Sequence, residues 1–436
     1  MTQEDSSSIP VYIQNDDPAV ENPLFGFDAY ARTLSSLIAN KENATPLVVG
    51  ISGMWGSGKT TLMKAIKTQL DGNDLSGPGK YRHCKTVWLQ AWKYNDRKDI
   101  PAALVEAVFK AMAADGFFSL ARARVDTVAK RFDKSGIYNS ISRLAAGVDI
   151  SEFFSEMAYK EKLGTSETFH KFCDDLIWTF LAWRFKLTGQ EKPDDKMAAV
   201  VVLIDDLDRC CPDCITQVLE AIKIFMDRCG CIFVIGGGSR NLQNALAGQS
   251  GAPEARDRLD KLIQIKFELP ELSTEELIPF IESAKIKPGD FQVLKSRLPA
   301  LMPNLGRNPR RIKRFINHLN LFGGLLQGCN VQIEFAKAIA WAVLLNGHGD
   351  LAELINNNPQ VLGELRQSME RLSTAFPQIP LWELNPGQLT AEHVPEFLHV
   401  YIQRPQLAEL VNALDVSSDE LRWLLKLGGS VLPAGA

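Results

Sequence analysis

Short apolar runs, separated by stretches with helical periodicity, organise the first 270 residues of the chain. Runs of Val, Leu and Ile that are apolar on both faces are typical of strands in a parallel sheet covered by helices on both sides. The pattern therefore predicts an α/β domain with an amphipathic helix near 28–39 and strands at 47–51, 86–92, 199–204, 231–235 and 262–267.

The same periodicity indicates how the chain divides into domains. Residues 1–20 are expected to form a flexible tail, and the sheet domain to extend over 21–270 with a helical insertion at about 95–195. Two further helical regions are expected at 271–325 and 326–436. The longest apolar runs are far shorter than the roughly 20 residues that a membrane-spanning helix needs, so no transmembrane segment is expected.

Composition narrows the class of protein. Hydrophobic residues make up 45% and charged residues 23%, which is ordinary for a soluble globular protein. The formal net charge of −4 does not indicate a nucleic-acid partner. The start MTQEDSSSIP is polar and acidic, unlike a secretory signal, and 8 cysteines in 436 residues fit a reducing compartment. A cytoplasmic location is therefore expected.

The first chemical motif directly follows strand 47–51. Residues 53–60 match G-x-x-x-x-G-K-[ST] in full, and a helical segment follows. Such a loop points successive N–H groups at phosphate oxygens, and the helix N-terminus adds partial positive charge. Lys59 is expected to contact the β- and γ-phosphates, and the Thr60 hydroxyl to bind Mg²⁺. The expected nucleotide-binding residues are Gly53, Met54, Trp55, Gly56, Ser57, Gly58, Lys59, Thr60 and Thr61.

A second motif is the group of carboxylates after strand 199–204. Ligands of α/β sheets bind at the carboxyl ends of the strands, where these side chains are expected to lie. Asp205 is predicted to bind Mg²⁺, directly or through water. Asp206 is the first choice for the base that orients the attacking water, and Asp208 is the second. The alternative is that these carboxylates only cap a helix N-terminus. The phosphate-binding loop earlier in the chain argues against that alternative.

Together these motifs resemble those of the KAP family of P-loop NTPases. The string IDDLDRC at 204–210 resembles the second motif of that family, and AWKY at 91–94 resembles the end of its second strand. DKLIQI and FELP, within 260–270, resemble its fifth strand, and NPRRIKRF at 308–315 resembles its NPRxxKR helix. The resemblance covers roughly residues 21–325.

The resemblance implies a P-loop NTPase of the additional-strand branch, near the AAA+ and STAND groups. The implied fold is a parallel five-stranded sheet in the order 5-1-4-3-2, with a helical lid at 271–325 and a C-terminal helical domain. Bacterial members often occur in anti-phage defence or plasmid-borne systems, which implies such a context here. One departure is the run GGGSR at 236–240, where the family usually has a polar residue after the fourth strand.

Residues 308–314 predict the start of a basic helix. Asn308 is a good N-cap and Pro309 a good first helical residue. Positive charge in the first turns opposes the helix dipole, and a nearby anion would offset that cost. We expect the anion to be the nucleotide γ-phosphate, sensed by Arg310 or, as the alternate, Arg311. A solvated basic face, or pairing with acidic side chains, is the open alternative.

The leading functional hypothesis is Mg²⁺-dependent hydrolysis of ATP to ADP and phosphate. Lys59, Asp206 or Asp208, and Arg310 or Arg311 are the expected catalytic groups. Hydrolysis is expected to act as a nucleotide switch or an assembly driver for a protein partner or effector, and a homo-oligomer is left open. The second hypothesis is an ATP-binding scaffold with little hydrolysis that controls a partner effector. A small-molecule kinase is a third hypothesis.

Overall fold

The apolar runs of the first 270 residues form one parallel sheet. In the computed structural model the strands follow the order β2-β3-β4-β1-β5, and each pairing is parallel. The predicted order 5-1-4-3-2 is this order read from the other edge, so the predicted fold class is confirmed. The strands are β1 (Leu47–Ser52), β2 (His83–Gln90), β3 (Ala198–Asp205), β4 (Cys231–Gly236) and β5 (Ile265–Glu268).

Two compact units make up the chain. One is Pro18–Pro270, and the other combines Met1–Asp17 with Glu271–Ala436. A large part of the insertion predicted at about 95–195 lies outside the described residues. The residues that the structure describes are 12–15, 25–72, 79–94, 100–131, 167–187, 194–225, 230–250, 252–282, 292–297, 302, 306–405 and 407–428.

Helices cover both faces of the sheet. β3 and β4 are buried at every position, as central strands with apolar residues on both faces must be. Leu62, Met63 and Ile66 of the helix at 59–72 pack on one face, and Phe109 and Phe180 of two later helices belong to the core on the other. The helices of this unit are α1 (Phe27–Ala39), α2 (Lys59–Gly72), α3 (Ile100–Ala114), α4 (Phe117–Leu120), α5 (Arg122–Arg131), α6 (Glu167–Arg184), α7 (Pro212–Phe225), α8 (Ser239–Ser250) and α9 (Ala252–Leu262).

All five predicted strands are present, and their bounds differ most from the prediction in β2 and β5. β2 ends at Gln90, and Ala91–Tyr94 form a 3₁₀ turn in which Trp92 is 42% exposed. β5 begins at Ile265, because Leu262 still belongs to α9. Ala91 and Leu262 are buried without joining the sheet. A hydrophobic pattern reports burial, and therefore cannot separate such residues from the strand beside them.

The described part of the insertion is helical and is attached to β2, an edge strand. Lys85 of β2 and Arg184 of α6 both donate to the carboxylate of Asp115, at 2.7 and 3.0 Å. The ring of Phe117 lies 5.3 Å from that of Phe180 and 5.5 Å from that of Trp183, measured between centroids. Ion pairs and aromatic packing thus hold these helices together beside the sheet.

The second unit is built from helices. Its helix at 335–347 carries the apolar run 338–345, and every residue of that run is buried. In the part of the chain that the structure describes, no helix is both long enough and apolar enough to cross a membrane. The helices are α10 (Thr274–Glu282), α11 (Pro309–Gly328), α12 (Phe335–Gly347), α13 (Gly349–Asn357), α14 (Gln360–Ala375), α15 (His399–Ile402), α16 (Leu407–Ala413) and α17 (Ser418–Gly428).

Residues 12–15, the part of the predicted tail at 1–20 that the structure describes, are hydrogen-bonded along α11. Asn317 donates to the carbonyl of Gln14 at 2.9 Å and accepts from its N–H at 2.6 Å. Lys313 and Asn320, which lie on the same stripe of the helix, donate to main-chain carbonyls of this segment at 2.9 and 2.8 Å. The polar composition of the tail did not indicate this contact, because its partners lie about 300 residues later.

Asn317→Ala is expected to weaken the attachment of Gln14 to α11. The substitution removes two hydrogen bonds to Gln14, each worth about 0.5–1.5 kcal/mol. Hydrogen exchange of the Gln14 amide should become faster, while the amides in the middle of α11 keep their protection. Asn356→Ala, at an exposed position of α13, is the matched control. Unchanged exchange at Gln14 in Asn317→Ala would contradict this contact.

Candidate functional site

The carboxyl ends of β1, β3 and β4 meet at one edge of the sheet. β1 leads into loop 53–58, which enters α2 at Lys59. β3 ends at Asp205 and β4 at Gly236, and Gly236 pairs in register with Ile51 of β1. The predicted loop and the predicted carboxylates are therefore brought together at the edge where ligands of α/β sheets bind.

Close packing explains glycines at two positions of this edge. Gly58 has a φ of +104°, and a Cβ there would lie 2.5 Å from the ring of Phe27 in α1. A Cβ on Gly236 would lie 2.4 Å from the sulfur of Met63 and 3.2 Å from Oδ1 of Asp205. The first glycine of the GGG run thus lets β4 approach α2 and β3 closely.

The side chains of the phosphate-binding loop differ in their exposure to solvent. Met54 and Trp55 are 65% and 56% exposed. The hydroxyl oxygen of Ser57 is buried and has no hydrogen-bond partner among the described residues. Burying an unpaired hydroxyl costs free energy, so this oxygen fits a loop that receives a polar ligand such as a phosphate group.

Lys59 is 8% exposed, although it carries a charge at the beginning of α2. Its Nζ donates to the carbonyls of Gly53 and Met54 at 3.1 and 3.2 Å. It also forms an ion pair with Asp208, 3.5 Å from Oδ2. The loop and the turn after β3 together provide the oxygen atoms that a buried ammonium group needs.

Asp205 is 1% exposed, and its Oδ2 has no hydrogen-bond partner among the described residues. Burial is the main cause that raises the pKa of Asp205, and the charge of Asp206 raises it further. A hydrogen bond with Thr60 opposes this shift. A buried acceptor beside a hydroxyl fits a cation. Mg²⁺ prefers oxygen ligands and is usually held by one or two protein groups together with substrate phosphates. Thr60 and Asp205 are the residues that would hold it.

The other two carboxylates of the motif have different partners. Asp206 has a left-handed backbone, with a φ of +56°, and its side chain pairs with Arg209 at 3.0 Å. Asp208 pairs with Lys59, and its Oδ2 also accepts from the N–H of Gly238 at 3.1 Å. Both carboxylates are therefore ion-paired, and the choice of Asp206 as the base stays a prediction.

Arg310 and Arg311 lie in the first turn of α11, in the other unit. Asn308 caps this helix as predicted, since its Oδ1 accepts from the N–H groups of Arg310 and Arg311 at 3.0 and 3.4 Å. Pro309 is the first helical residue. The role of the two arginines toward a γ-phosphate stays a prediction.

An aromatic cluster beside the loop was not predicted. The ring centroid of Phe27, the residue that meets Gly58, lies 5.9 Å from that of Phe25 and 6.4 Å from that of Tyr30. Tyr30 lies 5.4 Å from Phe267 of β5. In the sequence this cluster is indicated only by the string FGFDAY at 25–30, which is equally typical of the start of an amphipathic helix.

A model of the KAP family P-loop domain matches residues 27–326 of this chain. The comparison with curated proteins gives no match. Among solved structures, the Aeropyrum pernix ORC1 protein in complex with DNA is 11% identical, with a TM-score of 0.37 over 95% of this chain and 84% of that chain. The Aeropyrum pernix ORC2 protein in its ADPNP-ADP complexes is 12% identical, with a TM-score of 0.38 over 96% of each chain.

Asp205→Asn is expected to stabilise the nucleotide-free protein at neutral pH, by on the order of 1 kcal/mol. A carboxyl whose pKa is raised by folding favours the protonated form in the folded state. Its charged form therefore lowers stability above that pKa, and this penalty disappears as the pH falls through it. The difference in melting temperature between variant and wild type should consequently shrink on acidification.

The same variant should lose the response to Mg²⁺, measured as the further rise in melting temperature that Mg²⁺ causes in the presence of ATP. Asp213→Asn, at an exposed position in the first turn of α7, is the control. A variant that is destabilised at neutral pH and still responds to Mg²⁺ would show that Asp205 is a structural residue and not a metal ligand.

Proposed function

Because the chain belongs to the KAP family of P-loop NTPases, we propose that it binds ATP with Mg²⁺ and hydrolyses it to ADP and phosphate. The observation that carries this proposal is the position of Lys59, Thr60 and Asp205 at one sheet edge. One buried oxygen of Ser57 in the loop, and one of Asp205 at the end of β3, have no hydrogen-bond partner among the described residues.

Phosphoryl transfer requires mainly positioning and charge stabilisation, and each part has a residue here. The loop N–H groups and the N-terminus of α2 bind the phosphates. Lys59 exchanges the carbonyls of Gly53 and Met54 for oxygens of the β- and γ-phosphates. Thr60 and Asp205 would hold Mg²⁺, which would neutralise the charge that develops on these phosphates. Asp206 orients the attacking water and accepts its proton.

The second candidate function is an ATP-binding scaffold that hydrolyses little. Two observations favour it. Gly237 and Gly238 follow β4 where the family usually has a polar residue. Asp206 is also paired with Arg209, and a neighbouring guanidinium makes a carboxylate a poorer proton acceptor. In this alternative, bound ATP holds the protein in a conformation that a partner recognises.

In either case we propose that nucleotide acts as a switch or assembly driver for a protein effector. A γ-phosphate that is present or absent changes local charge and contacts, which is sufficient to shift a two-state element. An anti-phage context follows from the family resemblance alone. Phage plating efficiency on cells that carry the wild-type protein or Lys59→Ala would test that context, and equal plating on both would contradict it.

Lys59→Ala is expected to lower the rate of ATP hydrolysis at least about a hundredfold, since a charge-assisted contact that strengthens in the transition state is worth about 3 kcal/mol. Release of phosphate at saturating Mg²⁺ and ATP is the measurement. Lys64→Ala, about one turn further along α2, is the matched control and should keep the wild-type rate. Wild-type hydrolysis by Lys59→Ala would rule out this nucleotide site.

Asp206→Asn is expected to keep nucleotide binding and to lose hydrolysis, because the amide cannot accept the proton of the attacking water. Calorimetric titration with a non-hydrolysable ATP analogue measures binding, and phosphate release measures turnover. If Asp206→Asn turns over normally while Asp208→Asn does not, the base is Asp208 instead.

ATP is expected to protect the N-terminal half of α11 from hydrogen exchange more than ADP does, because Arg310 or Arg311 is proposed to sense the γ-phosphate. A coupling of about 1–3 kcal/mol between nucleotide and this helix would be usual. Arg310→Ala should reduce the difference between the two nucleotides without unfolding the protein. Equal protection by ATP and ADP in the wild type, or an unchanged difference in both Arg310→Ala and Arg311→Ala, would leave the arginines as a solvated surface.

A further inference from the structure

Asp208, the second choice for the base, contacts both the lysine of the phosphate-binding loop and a residue that follows β4. It lies in the 3₁₀ turn Leu207–Arg209 after β3, with its Oδ2 at 3.5 Å from Nζ of Lys59. The Lys59 and Asp208 side chains are only 9% and 7% exposed. The same oxygen accepts from the N–H of Gly238, the residue before α8, at 3.1 Å. One carboxylate oxygen therefore joins the lysine of the loop to the beginning of α8.

The carboxylates of the motif divide their contacts among different partners. Asp205 interacts with Thr60, and Asp206 pairs with Arg209. Asp208 is the carboxylate whose ion pair is with Lys59. Three acidic residues within four positions thus face three different groups, and Asp208 is separated from the metal and base roles proposed for the other two.

The ion pair sets up a competition for one ammonium group. A nearly buried ammonium requires a counter-charge, which here is the carboxylate of Asp208. Phosphates at the loop would bring negative charge to the same ammonium. They would also be repelled by a carboxylate a few ångströms away, and this repulsion is strong where water is excluded.

We propose that Asp208 is a positioning residue that acts as the counter-ion of Lys59 until phosphate oxygens replace it. Asp208 holds the lysine against the loop carbonyls and lowers the affinity for nucleotide that arrives without Mg²⁺. Through Gly238 it also links the position of Lys59 to the N-terminus of α8. This inference rests on the proposed function, since it requires a triphosphate at the loop.

Asp208→Asn tests the inference, because asparagine has nearly the same shape and keeps an oxygen that can accept from Gly238. We expect ATP in the presence of EDTA to bind about tenfold more tightly than to wild type, since a repelling charge near the phosphates is removed. The nucleotide-free variant should melt at a lower temperature, since Lys59 has lost its counter-charge.

A lower melting temperature combined with a higher affinity distinguishes a counter-ion from the other roles of Asp208. A residue that only accepts a hydrogen bond from Gly238 would leave both quantities near wild type. Loss of hydrolysis at unchanged affinity would show that Asp208 is the base. Either result would overturn the inference. Asp213→Asn, exposed on α7, is the matched control and should change neither quantity.

Failure of the proposed function would have a different signature. A wild-type protein that binds no ATP would contradict the nucleotide site, and with it this inference, before any variant is compared. Wild-type binding with unchanged affinity in Asp208→Asn would contradict only the inference.

If Asp208→Asn does not fold, the double variant Lys59→Met with Asp208→Asn keeps the ion pair testable. Removing both charges leaves neither of these two side chains as an unpaired buried charge, so the double variant is expected to fold under conditions where Asp208→Asn does not. A double variant that is no more stable than Asp208→Asn would show that the two side chains are not paired, and would overturn the inference.

Discussion

Lys59 is positively charged and only 8% exposed, and the other groups of the site surround its ammonium group. A buried ammonium group is costly unless oxygen atoms surround it. The loop after β1 supplies two carbonyls, and the turn after β3 supplies the carboxylate of Asp208. β4 lies between these two strands, and Gly238, which follows β4, donates to the same carboxylate. The order of the strands thus determines which groups can reach the lysine.

The same edge contains groups that a protein without a ligand would not need. Asp205 is buried with one unpartnered oxygen, and its pKa is raised by burial and by the neighbouring charge of Asp206. This buried carboxylate lowers the stability of the folded state. A cation bound between Asp205 and the phosphates would offset that free-energy cost. Costly buried charges collected at one sheet edge are therefore better explained by ligand binding than by folding.

The sequence predicted those features that depend on local pattern. Apolar runs located the strands, the spacing of loop residues located the phosphate-binding loop, and Asn308 was found as a helix cap; the strand order came from the family resemblance. The partners of Asp206 and Asp208 were not predictable, because they depend on the direction of the turn after β3. The left-handed backbone of Asp206 sets that direction, and the spacing of residues in the sequence does not reveal it. The contact of residues 12–15 with α11 was missed because it joins distant parts of the chain.

Single-turnover hydrolysis tests the central claim most directly. The protein is mixed in excess with ATP labelled on the γ-phosphate, with Mg²⁺ in one sample and EDTA in the other. An ATPase built on this site should convert the bound ATP to ADP and labelled phosphate in the Mg²⁺ sample only. Recovery of bound ATP intact from the Mg²⁺ sample would contradict hydrolysis and leave an ATP-binding scaffold as the function.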